Sequence, residues 1–293
     1  MKKILVIGSI SIDNVTYTNN LPQPGMTVYG ESFLSNVGGK GANQACAIKR
    51  LCGDVDFYGA VGDDNNGKIV KNFLNSEDLN SFLKISKLST GVASITIDMK
   101  SAENRIVIVP GANRDLTIDD IDQIDFKKYS VLLIQLEILI PSVIHAMKKA
   151  KENGLTVVLN PAPYNELDHS AYQYIDFFIP NEHELEQFTS DIKGNYLQRA
   201  KSLVNHGIKN VIVTLGEKGS LFVNDKEHFY IEPHKVKAID TTGAGDSYCG
   251  AFVTALNKGS SVKEAMEFAS KASSITVTRK GAIASLPYLK DIK

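Results

Sequence analysis

From about residue 131 onward the chain alternates short apolar runs with longer polar segments of helical period, and this alternation constrains its fold more than any other feature. The runs are Val131 to Leu136, Thr156 to Leu159, Phe177 to Ile179 and Val211 to Leu215. Runs that are apolar throughout, rather than at every second residue, suit strands buried on both faces. The pattern therefore predicts βαβ units and a mainly parallel sheet with helices on either side, an α/β fold. Lys3 to Ile7 and Val55 to Tyr58 are predicted as further strands of the same sheet. Helices are predicted over Gly41 to Leu51, Pro141 to Asn153, Asn195 to Gly207, Gly245 to Lys258 and Ser261 to Val277.

Two regions break the rhythm. Asn14 to Asn36 and Gly91 to Val109 carry β-branched runs and turn residues, the second with a hairpin around Ser101-Ala102-Glu103-Asn104. They are expected to form a small sheet appended to the main one, beside the carboxyl ends of the parallel strands, where it covers a ligand and excludes water. No Pro-rich, Ser-rich or single-sign charged stretch marks a linker in the 293 residues. The expectation is one domain over residues 1–293 with a lid from about 14–36 and 91–109.

Charge and cysteine usage narrow the function class. Basic and acidic residues number 32 and 33, so the net charge of −1 gives no long-range field for nucleic acid or an anionic membrane. Val131 to Ile140 is too short to span a bilayer and contains Gln135 and Glu137. The opening Met1-Lys2-Lys3 before an apolar run has the look of a signal peptide, but that run stops at Gly8-Ser9 and Asp13-Asn14 follow, which fits a buried first strand better. Cys46, Cys52 and Cys249 are odd in number with no CxxC pair, which predicts reduced thiols in a cytosolic, cytoplasmic protein.

The strongest local signal is Asp240-Thr241-Thr242-Gly243-Ala244-Gly245-Asp246, which runs directly into a predicted helix. Small residues at a helix start expose backbone N–H groups in the positive end of the helix dipole, which favours a phosphate. Asp246 either complements that dipole as a first-turn charge or acts as a base. Phosphoryl transfer to an alcohol passes through a loose transition state, so the hydroxyl keeps its proton until late and even a weak carboxylate base of pKa about 4 accepts it. The backbone amides of Gly243, Ala244 and Gly245 would then stabilise the transferring group.

A second signal is Gly38-Gly39-Lys40-Gly41-Ala42-Asn43-Gln44-Ala45, glycines leading into a helix. Glycine permits close backbone approach to a ligand, and Asn43 offers a donor and an acceptor suited to sugar hydroxyls. It is not a Walker A loop, and neither is Gly216-Glu217-Lys218-Gly219-Ser220. Gly8-Ser9-Ile10-Ser11-Ile12-Asp13 is not a dinucleotide fingerprint. Glu137, at the carboxyl end of its apolar strand, and Asp13, past the first strand, stand where α/β folds bind ligands. Asn181-Glu182-His183-Glu184 reads either as an N-cap followed by first-turn acids or as a magnesium–phosphate site using Glu184. The six histidines show no metal-ligand spacing.

Taken together, Gly38 to Ala45 and Asp240 to Asp246 resemble the two signatures of the pfkB family of carbohydrate kinases. More narrowly, the chain resembles the ribokinases of that family from Ile4 to about Pro287. The further residues that carry this are Gly8-Ser9, Gln135-Leu136-Glu137, Asn160-Pro161-Ala162-Pro163, Pro180-Asn181-Glu182, Thr214-Leu215-Gly216 and Val277-Thr278-Arg279-Lys280-Gly281-Ala282. The resemblance implies a ribokinase-like three-layer α/β/α sandwich with a β-sheet lid that forms a homodimer interface. It also implies ATP-dependent phosphorylation of the 5-hydroxyl of a pentose, D-ribose first, with Asp246 as base. It places Ser11, Asp13, Gly39, Lys40, Gly41, Asn43 and Glu137 at the sugar. Asn181, Thr214, Gly216, Gly219 and Gly245 would face ATP, with Ser270 near the adenine and Glu184 acting on magnesium and phosphate. Asp240, Thr242, Thr276, Arg279, Gly281 and Ser285 occupy the positions of a potassium site, several through backbone carbonyls.

One departure bears on the sugar. Ribokinases carry an asparagine where this chain has Ser11. The 2-deoxyribokinases also lack it, and Tyr17-Thr18-Asn19 and Asp176 to Glu182 are similar to theirs. Ribose and 2-deoxyribose therefore stay open as alternatives. A non-catalytic sugar-binding protein of the same fold stays open too, with the intact Asp246 against it, as does a kinase of nucleosides or sugar phosphates. Cys52 stands where the first signature has glycine or serine, with no chemical consequence expected.

Overall fold

A computed structural model describes residues 2–101 and 103–292. Met1, Lys293 and Ala102, at the tip of the expected hairpin, lie outside the described residues. Among the described residues thirteen strands form two sheets. The large sheet takes β1 (Lys3–Ile7), β4 (Val55–Gly62), β5 (Asn80–Ser86), β8 (Tyr129–Gln135), β9 (Thr156–Asn160), β10 (Phe177–Phe178), β11 (Asn210–Thr214), β12 (Ser220–Asn224) and β13 (His228–Ile231). Its order is β13-β12-β11-β10-β9-β8-β1-β4-β5, parallel from β11 to β5. The small sheet holds β2 (Ser11–Thr18), β3 (Gly30–Gly38), β6 (Gly91–Asp98) and β7 (Asn104–Val109) in the order β3-β2-β6-β7.

Alternation along each central strand divides the core in two. Ile4, Val6, Leu133, Val158 and Ile212 point to one face, where they pack with α1 (Lys40–Arg50), α2 (Asn65–Ser76), α7 (Ala244–Asn257) and α8 (Val262–Thr276). Leu5, Ile7, Leu132, Val157 and Val211 point to the other, against α3 (Ile118–Asp122), α4 (Ile140–Glu152), α5 (Glu182–Phe188) and α6 (Tyr196–Asn205). The short α9 (Leu289–Ile292) closes the chain. Three layers result. The predicted helices are present within a residue or two of their expected bounds, and α8 starts on a capping box of Ser261 with Glu264.

The expected rhythm omits α2, α5 and β5, together with the antiparallel pair β12 and β13 at the sheet edge. β12 returns beside β11 through the tight turn at Gly216–Lys218 rather than through a helix, so the βα pattern gives no sign of it. The chain leaves β1 for β4 on one side, while β8 flanks β1 on the other. That reversal opens a crevice at the carboxyl ends of β1 and β8, where an α/β sheet binds its ligand.

Candidate active site

Asp246 lies in the first turn of α7 and is 6% exposed. Gly243 caps the helix at φ 77°, a left-handed conformation that glycine adopts without strain. The first helical bond is closed by Ser247 N–H onto the Gly243 carbonyl at 2.8 Å. Of the three amides expected to face a phosphate, that of Ala244 turns inward to the Thr241 carbonyl at 3.2 Å. The N–H of Gly245 makes no hydrogen bond among the described residues, so the donors open to an anion are fewer than the spacing implies. Asp246 Oδ2 accepts from Asn43 Nδ2 at 2.8 Å, and Oδ1 accepts from Gln44 Nε2 at 2.9 Å. The carboxylate is thus oriented by α1, roughly 200 residues earlier in sequence.

The same helix start organises the polar pocket at the crevice. Glu137 Oε2 accepts from the Lys40 backbone N–H at 3.0 Å and from the Ser9 hydroxyl. Strand β8 ends at Gln135, so Glu137 stands in the turn beyond it rather than on the strand. Ser11 Oγ donates to Asp13 Oδ1 at 2.8 Å. Burial lifts the Asp13 carboxyl above its ordinary range, and nearby Glu137 and Asp246 add to the lift while the Ser11 bond opposes it. Burial works against a charged Lys40, yet the fields of Asp246, Glu137 and Glu184 prevail and hold its ammonium above its usual value. A protonated lysine set among acids is ready for an anionic group.

The signature glycines serve the chain's own packing. Gly39 has φ 92°, and a Cβ there would press on the backbone of Ile10 and Ser11. A Cβ on Gly41 would meet the Gly8 backbone at 2.6 Å. Their expected role, close approach to a ligand, is in this structure a close approach of α1 to the β1–β2 connection.

Against Ala244 and Gly245, at the start of α7, a cleft of about 860 Å³ opens. Asn181, Thr214, Gly216, Gly219, Gly245 and Ser270, the residues expected at ATP, all line it. The loop from Pro233 to Ala238 lines it too, a contribution with no signal in the sequence. Asn181 and Glu184 form a reciprocal capping box: Asn181 Oδ1 accepts from Glu184 N–H and Glu184 Oε2 accepts from Asn181 N–H, each at 2.8 Å. The N-cap reading therefore holds geometrically. Burial still raises the Glu184 carboxyl, with Asp246 adding to the lift and Lys40 opposing it, but Glu182 and His183 rather than Glu184 line the cleft, because the cap turns the Glu184 carboxylate back to the Asn181 N–H. A magnesium ion would find Glu184 as a hard oxygen donor and nucleotide phosphates for the rest, since the described residues gather no cluster of three metal-ligating side chains.

The segment expected to hold a cation is gathered by Asp240. Its Oδ1 accepts from Thr242 N–H at 2.9 Å and Thr242 Oγ1 at 2.6 Å, and its Oδ2 accepts from Gly281 N–H at 2.8 Å. Burial raises this carboxyl, but those three bonds outweigh burial and hold it below the usual range. Thr276 Oγ1 turns to Ser247, Arg279 pairs with Asp291, and Ser285 Oγ donates to the Ala282 carbonyl. Those three side chains point away, which leaves backbone carbonyls and the charge of Asp240 as the fitting donors for a monovalent ion.

Three buried amides went without a role at the level of sequence: Gln44, Gln135 and Asn160. Gln135 Nε2 donates to Gln44 Oε1 at 2.6 Å, and Gln44 Nε2 donates to Asn160 Oδ1 at 3.0 Å as well as to Asp246. Their signal was an amide inside an otherwise apolar strand or helix face, which costs stability unless it is bonded.

A carboxylate at a helix start, between a polar pocket and a nucleotide-sized cleft at the switch point of a parallel sheet, defines a phosphotransferase acting on a small hydroxylated substrate. The chain belongs to the pfkB family of carbohydrate kinases, whose sequence profile matches residues 1–289, and it is an ATP-dependent sugar kinase. It is 39% identical to the deoxyribokinase of Salmonella typhi over 98% of this chain and 96% of that one. It is 38% identical to the ribokinase of Staphylococcus aureus over 99% and 98% of the two chains. Its fold matches the ribokinase of Arabidopsis thaliana complexed with ribose and ATP with a TM-score of 0.91, at 29% identity over 99% and 97%.

Proposed function

We propose that this kinase transfers the γ-phosphoryl group of ATP to the 5-hydroxyl of D-ribose, giving ribose 5-phosphate and ADP. One observation carries the assignment: buried Asp246 accepts from Asn43, has Asp13 and Lys40 within reach of its charge, and directly follows Gly245, which lines the cleft of Asn181, Thr214 and Gly219. The S. aureus and A. thaliana ribokinases, matched over nearly their whole lengths, support ribose as the acceptor. Ser11, Asp13, Gly39, Lys40, Gly41, Asn43 and Glu137 hold the sugar so that its 5-hydroxyl meets Asp246. The hydroxyl oxygen bonds to the γ-phosphorus, its proton passes to Asp246, and the bond from phosphorus to the bridging oxygen breaks with its electrons going to ADP. The Gly243 and Gly245 amides and Lys40 stabilise charge on the transferring group. Magnesium, when bound beside Glu184, supplies positive charge to the nucleotide phosphates. Backbone carbonyls beside Asp240 would hold potassium, whose positive charge would help to order the loop that carries Gly243.

The small sheet acts as a lid and as a homodimer interface. Phe33, Leu34, Ile106, Val107, Ile108 and Val109 are each at least half exposed on its edge strands, which is more apolar surface than a monomer usually leaves in water. Cys46, Cys52 and Cys249 are unpaired thiols, in keeping with a cytoplasmic location. Among the described residues no helix is long and apolar enough to cross a membrane. An ATP-consumption screen over pentoses, hexoses, nucleosides and sugar phosphates tests the assignment. Turnover confined to nucleosides or sugar phosphates would overturn it.

A second reading, 2-deoxyribose as a substantial substrate, is favoured by Ser11. Its hydroxyl is already directed to Asp13 at 2.8 Å, so a sugar without a 2-hydroxyl leaves no buried serine unpaired. The S. typhi deoxyribokinase relative agrees with it. The expected kcat/KM ratio for the two pentoses lies within roughly a hundredfold, and Ser11→Asn shifts preference toward ribose. A ribose preference above about a thousandfold, or no shift in the variant, sinks this reading.

A further inference from the structure

Gln44, Gln135 and Asn160 form a directed chain of amides beneath Asp246, and its polarity is fixed from both ends. At one end Asn160 Nδ2 donates to the Ile179 carbonyl at 2.9 Å. A carbonyl oxygen only accepts, so Asn160 must present its amide nitrogen there and its oxygen to Gln44. Gln44 must then present its nitrogen to Asn160, and its oxygen falls to Gln135, which donates to it. At the other end the Asp246 carboxylate, also an acceptor, receives the second proton of the same Gln44 nitrogen. Reversing Gln44 would set an oxygen against both Asn160 Oδ1 and Asp246 Oδ1. Gln44 and Gln135 are fully buried, so such a reversal would set acceptor against acceptor away from bulk solvent. A Cβ on Gly250, one turn beyond Asp246, would meet Ala47 Cβ at 2.6 Å and the Gln44 carbonyl at 3.0 Å. The bare glycine lets α7 lie close enough to α1 for Gln44 to reach.

We propose that Gln44 is the positioning residue of the catalytic carboxylate, held donor side toward Asp246 by Gln135 and Asn160 so that Asp246 keeps one orientation toward the sugar hydroxyl. This rests on Asp246 being the base. Asn43 does not replace Gln44: among the described residues only its donation to Asp246 fixes its amide, since its Oδ1 has no partner there, nor has Gln135 Oε1, whereas Gln44 is fixed by Asp246, Asn160 and Gln135 together. The charged and titratable groups whose fields reach Asp246 are Asp13 from β2, Lys40 from α1, Glu184 from α5 and Cys249 from α7, with Glu137 beside Lys40. None of them is altered when Gln44 or Gln135 is changed.

The experiment compares wild type, Gln44→Met, Gln135→Met and Asp246→Asn in steady-state kinetics with ribose and ATP across pH. Gln44→Met keeps most of the volume and removes the donor. Its kcat should fall roughly 10- to 100-fold, while KM for ribose and ATP stays within about threefold, because orientation of the base is lost and sugar contacts are kept. Gln135 makes no hydrogen bond to Asp246 among the described residues, and Gln135→Met should show the same split, smaller in size. It keeps the test open should Gln44→Met fail to fold. A folded Gln44→Met with kcat within twofold of wild type, or a loss of kcat in either variant matched by a comparable rise in KM for ribose, overturns the proposal and leaves these amides a packing role only. An active Asp246→Asn removes the base assignment itself, and so separates failure of that assignment from failure of the relay.

Discussion

Asp246→Asn changes the reacting carboxylate with the least change of shape, and its consequences can be worked from four atoms. The two oxygens of Asp246 accept from Asn43 Nδ2 at 2.8 Å and Gln44 Nε2 at 2.9 Å. An asparagine must set its own NH₂ against one of them. Gln44 is held donor side by Asn160, itself fixed on the Ile179 carbonyl, while Asn43 Oδ1 has no partner among the described residues. The new NH₂ therefore faces Asn43, whose amide turns over to accept. Both contacts survive as neutral hydrogen bonds, and what is lost is their charge assistance, on the order of 1 kcal/mol each, offset by removal of a buried charge. The melting temperature should move by only a few degrees. Calorimetry should give ribose and ATP dissociation constants within a few-fold of wild type. Proton acceptance, in contrast, is gone, and kcat should fall roughly 10²- to 10⁴-fold. At about 1.36 kcal/mol per tenfold, this raises the barrier by about 2.7–5.4 kcal/mol. Retention of more than about a tenth of wild-type kcat with intact binding would refute the assignment of Asp246 as base.

The site makes a second demand, on cations: at equal ionic strength potassium should support a rate well above sodium, and Asp240→Ala should largely remove the difference, whereas identical rates in the two salts would eliminate the cation site. Far from the chemistry, Asp176 should govern acid stability. Burial pushes its carboxyl up, but bonds from Lys151 at 2.6 Å, Lys209 at 2.7 Å and the Val157 N–H at 2.8 Å prevail and hold it below the usual range. A depressed folded pKa stabilises the protein above the unfolded value near 3.9 and ceases to do so as pH falls through the folded value. Asp176→Asn should therefore lose about 1–2 kcal/mol at neutral pH, discounted because both lysines reach solvent, and the gap in melting temperature should close below about pH 4. A gap of equal size at pH 3 and pH 7 contradicts the sign.

The sequence by itself determined whatever depends on neighbours along the chain. Fully apolar runs such as Leu132 to Ile134 mark strands covered on both faces, and the structure sets them at the centre of the large sheet. Small residues from Gly243 to Gly245 mark a helix start with Asp246 in its first turn, and the polar, helix-period segment from Ser261 to Val277 marks another helix. What spacing does not encode is contact across the fold. β12 and β13 were missed because a tight glycine turn replaces the expected helix, and the Ala244 amide was assigned to an anion although the turn directs it to Thr241. The loop from Pro233 to Ala238 reaches the cleft with no local signature. Above all, Gln44 and Asn43 meet Asp246 across roughly 200 residues, at a distance set by how closely α1 packs on α7 at Gly250. Periodicity reports which face of an element is apolar. A hydrogen bond of 2.8–2.9 Å between two helices requires their axes to be placed within a few tenths of an ångström, and only the packing of the whole core supplies that placement.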